Sequence, residues 1–283
     1  MTPTVAHQVK SLVITGFGIN CEEETNAAFL LSGADSEIVH LNDILLKGFD
    51  IHTFDILSFP GGFSFGDDIS SGKVLANKIK YKQLSTGKTM LDEIKKFLAK
   101  GKFIFGACNG FQVLVKLGLL PDVSGNIEQE VTLMRNNSGK YEDRWVNCLV
   151  TQGTKTPFLK GITKLALPVR HGEGKLIIRD DHIRQQIISN QLNCLSYCDE
   201  LGQLTDEYPL NPNGAELNCA GLTNTTGQVF GLMPHPEAFL SIYNHPNWGQ
   251  LKRRNPSLPE EGEGLQIFKN IVRHISKSKS PVS

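Results

Sequence analysis

Residues 102–120 read KFIFGACNGFQVLVKLGLL. Lys102–Phe105 is an apolar run of strand length, and Phe111–Leu120 places apolar residues at helical spacing. The short segment GACNG, residues 106–110, joins them. A strand that runs directly into a helix is the repeating unit of a parallel sheet, and the same alternation recurs upstream. Ser11–Phe17 reads as a first strand, Glu22–Leu31 as a helix stopped at Gly33, and Glu37–Leu41 as a second strand. Asp55–Phe59 is a third strand, ended by Pro60–Gly61–Gly62, and helices follow at Lys73–Lys80 and Met90–Lys100. Alternating strands and helices predict an α/β fold: a central, mostly parallel sheet with helices on both faces.

Downstream, strands outnumber helices. Glu130–Arg135, Trp145–Val150, Leu165–Val169 and Lys175–Arg179 read as strands, Ile183–Leu192 as a helix. Cys194–Tyr197, Ala220–Asn224 and Val229–Met233 are further strands. The last helix, Gly264–Ile275, carries Leu265, Phe268, Ile271, Val272 and Ile275 on one face. With no repeat and no linker to divide the chain, residues 11–276 form one domain, preceded by an extension at 1–10 and followed by a disordered tail at 277–283.

The 283 residues carry no formal net charge and no long basic block, which argues against a nucleic-acid surface or an anionic membrane surface. No apolar run approaches the roughly 20 residues of a membrane span. The first residues, MTPTVAHQVK, lack the apolar core of a signal peptide, so a cytoplasmic protein is expected. Six cysteines without a C-x-x-C pair fit that compartment. The close-spaced ligand sets of common metal sites are missing, and no metal is expected.

GACNG lies where chemistry gathers in an α/β sheet, at the carboxyl end of a strand. A sharp strand-to-helix turn crowds the positions two residues either side of its centre, and Gly106 and Gly110 relieve that crowding. The corner aims the first N–H groups of the helix at Cys108, where they favour thiolate and later an oxyanion. A packed turn with a buried thiol also fits these residues. A cysteine nucleophile needs a base and an orienting group. Met233–Pro234–His235–Pro236–Glu237 supplies both types two residues apart, and in an extended segment they share a side. An incidental H-x-E in a surface turn is the competing reading. Pro60–Gly61–Gly62–Phe63–Ser64–Phe65–Gly66–Asp67–Asp68 also follows a strand. Such a loop can present bare N–H groups to an oxyanion, cradle a phosphate, or merely turn; no G-K-[ST] follows to support the phosphate.

Pro60–Gly61–Gly62, Gly106–Gln112 (GACNGFQ) and His235–Pro236–Glu237, in this order, resemble the class I, triad-type glutamine amidotransferases, whose fold is flavodoxin-like. PGGFSFGDD, GACNGFQ, the HGEG of His171–Gly174, GLMPHPE and GINCEEET at Gly18–Thr25 are similar to the glutaminase subunits of phosphoribosylformylglycinamidine synthase. The likeness runs from about Leu12 to Phe268. It implies Cys108 as nucleophile, His235 as base and acid, and Glu237 as its orienter. The N–H groups of Gly62 and Asn109 would form the oxyanion hole. Gly61, Gln112, His171, Gly172 and Glu173 would bind glutamine. The resemblance also implies partners: a large synthase subunit (PurL) and a small bridging subunit (PurS). No nucleotide motif is visible in this chain, so no cofactor is expected here, and ATP and Mg are expected on the large subunit. Ala238 departs from the arginine that often follows the triad glutamate in these subunits. Ser241–Pro259 is added length without a derivable role, either a partner contact or a packed insertion, and Asp67 and Asp68 read either as substrate-binding groups or, more simply, as solvated loop carboxylates. Another cysteine-dependent amidotransferase or hydrolase, or a noncatalytic binding subunit of the same fold, are the alternatives.

Overall fold

The structure, a computed structural model, describes residues 8–279. Its strands are β1 (Lys10–Thr15), β2 (Asp35–His40), β3 (Ile56–Phe59), β4 (Phe103–Ala107), β5 (Val131–Arg135), β6 (Glu142–Val150), β7 (Lys164–His171), β8 (Glu173–Ile178), β9 (Asn193–Cys198), β10 (Cys219–Thr223) and β11 (Val229–Leu232). Its helices are α1 (Glu22–Leu31), α2 (Leu41–Leu46), α3 (Lys73–Tyr81), α4 (Met90–Ala99), α5 (Asn109–Leu117), α6 (Asp181–Ser189), α7 (Trp248–Arg254) and α8 (Leu265–Lys279).

Nine strands form one sheet in the order β2-β1-β3-β4-β11-β10-β9-β6-β7, and β5 pairs with β8 in a separate two-stranded sheet. The run β2-β1-β3-β4-β11 is parallel throughout, whereas β11-β10-β9-β6-β7 is antiparallel at every step. Strands β3, β4 and β11 are sandwiched between layers, which explains their largely apolar, largely buried sequences, with Ser58 of β3 the polar exception. Successive residues point to opposite faces. Leu12, Leu57 and Ile104 enter a core with residues of α2, α3, α4 and α5, while Val13, Ile56 and Phe105 enter a second core with α1 and α8. In that second core Phe268 packs edge-on to Phe29 at 5.0 Å and meets Phe105 at 5.2 Å.

Several boundaries differ from the sequence reading, each for a tertiary reason. β4 runs on to Ala107 because Gly106 and Ala107 pair with Gly231 and Leu232. α5 stops at Leu117, where Gly118 takes a left-handed φ of 84° and an added Cβ would strike the backbone of Ile127 at 2.6 Å. β7 continues to His171, because Glu142 of β6 pairs opposite it; as an edge strand it tolerates Pro168. Helices α2 and α7 were not expected. The tail expected from 277 is helical as far as Lys279. Residues 280–283 of that tail and 1–7 of the expected N-terminal extension lie outside the described residues.

Candidate active site

Three neighbouring parallel strands end side by side, and each ending carries one of the singled-out motifs. β3 leads into Gly61–Gly62, β4 into Cys108, and β11 into His235. Sheet register therefore gathers residues that sequence scatters across 174 positions, from Gly61 to His235.

Cys108 occupies the corner with φ 49° and ψ −106°, a conformation side-chain-bearing residues rarely adopt. Its N–H donates to Leu232 O at 2.8 Å, which ties the corner to β11. A Cβ on Gly106 would meet Leu114 at 2.6 Å, and one on Gly110 would land on the Phe59 carbonyl oxygen. Both glycines are thus required by close approach. The thiol is 5% exposed and donates to Arg170 O at 3.5 Å.

His235 and Glu237 are both buried, with Nδ1 and Oε1 2.6 Å apart. The segment is not extended as expected: Pro236–Ala238 forms a short 3₁₀ turn, and that turn brings the two side chains together. The His235 N–H donates to Pro168 O at 2.8 Å, anchoring the turn to β7. Burial disfavours the imidazolium, but the charges of Glu237 and Cys108 outweigh it and hold the His235 pKa well above its ordinary value. With Nδ1 facing Glu237, Nε2 is the nitrogen left for Cys108. Nε2 is buried without a hydrogen-bond partner among the described residues. Contacts of this kind are commonly long before substrate binds.

Gly62 has φ 137°, and the adjoining segment is pinned by Phe63 N–H to Gly18 O at 2.8 Å and Asn20 N–H to Gly61 O at 3.2 Å. Among the described residues, neither the Gly62 N–H nor the Asn109 N–H is committed to a backbone partner. The Asn109 side chain is a junction. It accepts from Ser64 N–H at 3.3 Å and donates to Asp67 Oδ1 at 3.1 Å and Gln112 Oε1 at 3.0 Å. Gln112 in turn donates to Glu173 O at 2.6 Å, and Ser71 N–H donates to Glu173 Oε2 at 3.1 Å.

A cavity of about 360 Å³ opens beside Cys108. Gly62, Gln112, His171, Gly172 and Glu173 line it, together with Asp67. Asn109 and Gly61 do not line it. Gly61 instead lies behind the imidazole, where a Cβ would meet His235 Cε1 at 2.7 Å and Cys21 Sγ at 3.1 Å. His171 sits where the chain leaves the main sheet for the small one. Its Nδ1 is 3.1 Å from Asn136 Oδ1, and burial, aided by the charge of His235, lowers its pKa to about 3.

Several residues at the site escaped the sequence reading. Arg135, Lys140, Tyr141 and Arg170 line the cavity from β5, β7 and the loop before β6. No motif marks them; only strand pairing brings them there. Asp67 is half-buried between Asn109 and Ser71 Oγ, which donates at 2.8 Å, while Asp68 is exposed. Burial raises the Asp67 pKa, against the lowering effect of its hydrogen bonds. The solvated reading holds for Asp68 and fails for Asp67. Cys21 Sγ approaches His235 Nδ1 to 3.9 Å. Ser241–Pro259 contains α7 and packs through His245 against Trp145 at 4.4 Å, beside Phe239, which follows the triad turn.

The family described as the CobB/CobQ-like glutamine amidotransferase domain matches residues 8–275. A phosphoribosylformylglycinamidine synthase subunit PurQ from Dehalococcoides mccartyi is 41% identical over 267 residues, covering 94% of this chain and 97% of the relative. The PurQ subunit of Archaeoglobus fulgidus is 35% identical, covering 95% and 98%. Among solved structures, a chain of PurLQS from Thermotoga maritima superposes with a TM-score of 0.68 at 26% identity, covering 95% of this chain and 100% of that one. Strand endings, cysteine elbow, buried His–Glu pair and whole-length likeness agree: the chain belongs to the PurQ family of glutamine amidotransferases.

Proposed function

We propose that this chain is the glutaminase subunit of phosphoribosylformylglycinamidine synthase, acting in purine biosynthesis through a cysteinyl thioester. The observation that carries the reading is the elbow cysteine at the mouth of a polar cavity, next to a buried His–Glu pair 2.6 Å apart. Glu173 and the cations Arg135, Lys140 and Arg170 give that cavity both signs of charge, which suits a zwitterionic amino acid. Gln112, His171 and Gly172 complete the wall.

The Cys108 sulfur attacks the side-chain amide carbon of glutamine as its proton passes to His235 Nε2. The Gly62 and Asn109 N–H groups receive the developing oxyanion, a donor pair of which each member is worth about 10²–10³ in rate. As the intermediate collapses, the C–N bond breaks, His235 gives its proton to the leaving nitrogen, and ammonia departs from a glutamyl thioester. His235 Nε2 then takes a proton from water, hydroxide adds to the thioester carbon, and glutamate leaves as the thiol is restored. Glu237 keeps the ring oriented throughout. The sum is glutamine plus water to glutamate plus ammonia.

Ammonia is nucleophilic only while unprotonated, and neutral water converts most of it to ammonium. The product therefore passes directly to an acceptor site on a second polypeptide: the large subunit (PurL), with ATP and Mg, joined by the small subunit (PurS). The assembly works in the cytoplasm. No helix among the described residues is long and apolar enough to cross a membrane. The test is Cys108→Ala in the assembled complex. Glutamine-dependent amidine formation should fall by at least 10³-fold, while ammonia-dependent formation stays within twofold. Equal loss of both in an intact complex would refute the assignment.

A further inference from the structure

Cys21 reaches the catalytic histidine from behind. It precedes α1, its N–H donates to Gly61 O at 3.3 Å, and its Sγ stands 3.9 Å from His235 Nδ1. Glu237 Oε1 lies 2.6 Å from the same nitrogen. One donor atom from each of Cys21, His235 and Glu237 lies within 4.8 Å of the others. Glu237 has a second oxygen, Oε2, that is buried without a hydrogen-bond partner among the described residues, on a side chain 1% exposed. Thiolate, imidazole and carboxylate are the ligand types that Zn²⁺ accepts together. Tetrahedral bonds of ordinary length place S and N about 3.5 Å apart, and N and O about 3.3 Å apart. The sulfur needs to move by only a few tenths of an ångström, and the carboxylate must open by more, so the metal replaces the Nδ1–H···O bond. Cys21 is half-buried, more open than the buried His235 and Glu237, and does not line the glutamine cavity.

We propose that Cys21, His235 Nδ1 and Glu237 form an inhibitory site for a thiophilic divalent cation of the Zn²⁺ class, on the face of the histidine opposite Cys108. The inhibitory part rests on the triad reading given above; the binding part does not. Coordination releases the Cys21 thiol proton to solvent and leaves the neutral ring with its single proton on Nε2. That nitrogen then has no lone pair for a proton from Cys108 or from water, and Glu237 is drawn off its orienting bond. Such a cation switches the glutaminase off without occupying the glutamine cavity.

Co²⁺ serves as a visible probe of the full chain, because a bound thiolate gives a sulfur-to-cobalt charge-transfer band. Wild type and Cys108→Ala should each bind one Co²⁺ with the same band, displaced by Zn²⁺. Cys21→Ala and Cys21→Ser should lack the band, and Zn²⁺ inhibition, measured against each variant's own metal-free rate, should weaken at least tenfold. Cys21→Ser keeps the packing and removes only the sulfur, which guards against a folding defect. A band that persists without Cys21 and vanishes without Cys108 would overturn the proposal, as would no band in the wild type. Full glutaminase activity in Cys108→Ala would instead sink the triad reading, while the cobalt band would still report on the metal site.

Discussion

The two regions proposed to supply oxyanion N–H groups are built in opposite ways. The elbow at Cys108 is buried, fixed to β11, and enclosed by Gly106 and Gly110 at positions where no Cβ fits. The loop from Gly62 to Gly72 is largely at the surface. Phe65, Asp67 and Ile69 all take positive φ values there, of 55°, 54° and 72°, and Phe63 and Ile69 are 46% and 87% exposed. Such backbone conformations cost of order 1–3 kcal/mol each and persist only when their surroundings enforce them. The proposed nucleophile sits in a close-packed corner, and one of its two proposed N–H donors sits in a loop nearer the surface. Asn109 and Asp67 link them. A partner that binds the loop has a short mechanical path to the oxyanion site, while the nucleophile stays in place. On this account the isolated chain hydrolyses glutamine slowly and speeds up in the complex, by differential affinity of the partner for one loop arrangement.

The two regions should differ most at their glycines, Gly110 and Gly66. Gly110→Ala drives a methyl into the Phe59 carbonyl oxygen, beyond ordinary overpacking, and should cost about 3 kcal/mol or more, read by denaturant unfolding. Gly66→Ala is the loop counterpart, with nothing nearer an added Cβ than Asp68 Oδ1 at 3.9 Å. Its φ of 68° alone should cost about 1 kcal/mol. Similar costs at the two glycines would erase the distinction between the two regions.

Glu237→Gln probes the rigid side. Glu237 is the foremost group raising the His235 pKa, so the variant should titrate at lower pH by histidine NMR, and glutamine turnover should fall about 10²-fold or more. A raised folded-state pKa stabilises fully below the unfolded value, about 6.5, and that contribution is lost as pH rises through the folded value. Glu237→Gln should thus cost more stability at pH 6 than in alkali. An unchanged His235 titration would remove Glu237 from its orienting role.

Asp67→Ala tests the link and has the smallest expected effect. Cutting the tie to Asn109 loosens one oxyanion donor without deleting it. Turnover should fall about tenfold, a fraction of the loss for a missing donor, while Cys108 alkylation by a simple haloamide keeps its rate. A parallel loss in both would mean that Asp67 supports the elbow itself.

The same division governs what the sequence reveals. The elbow is a local device: its glycines stand two residues either side of Cys108, and the strand and helix flanking it carry their own periodicities. Alternation puts β3 and β4 in one parallel sheet, but β11 follows the strand-rich stretch β5–β10, and its place beside β4 leaves no local trace. The Asn109–Asp67 bond spans 42 positions and the Cys21–His235 approach spans 214, and neither leaves a periodic trace. Helix α7 has no buried residue and hence no apolar stripe to read. His235 and Glu237 meet through a 3₁₀ turn rather than by strand alternation, so the right pair followed from the wrong local geometry.

Of the six cysteines, Cys108 should be the nucleophile aimed into the glutamine cavity. Incubation with a glutamine-mimicking diazo ketone, followed by peptide mass mapping, tests it most directly. The account predicts one adduct per chain, on Cys108, suppressed by excess glutamine. Preferential labelling of Cys21, the half-buried thiol on the far side of His235, would contradict it.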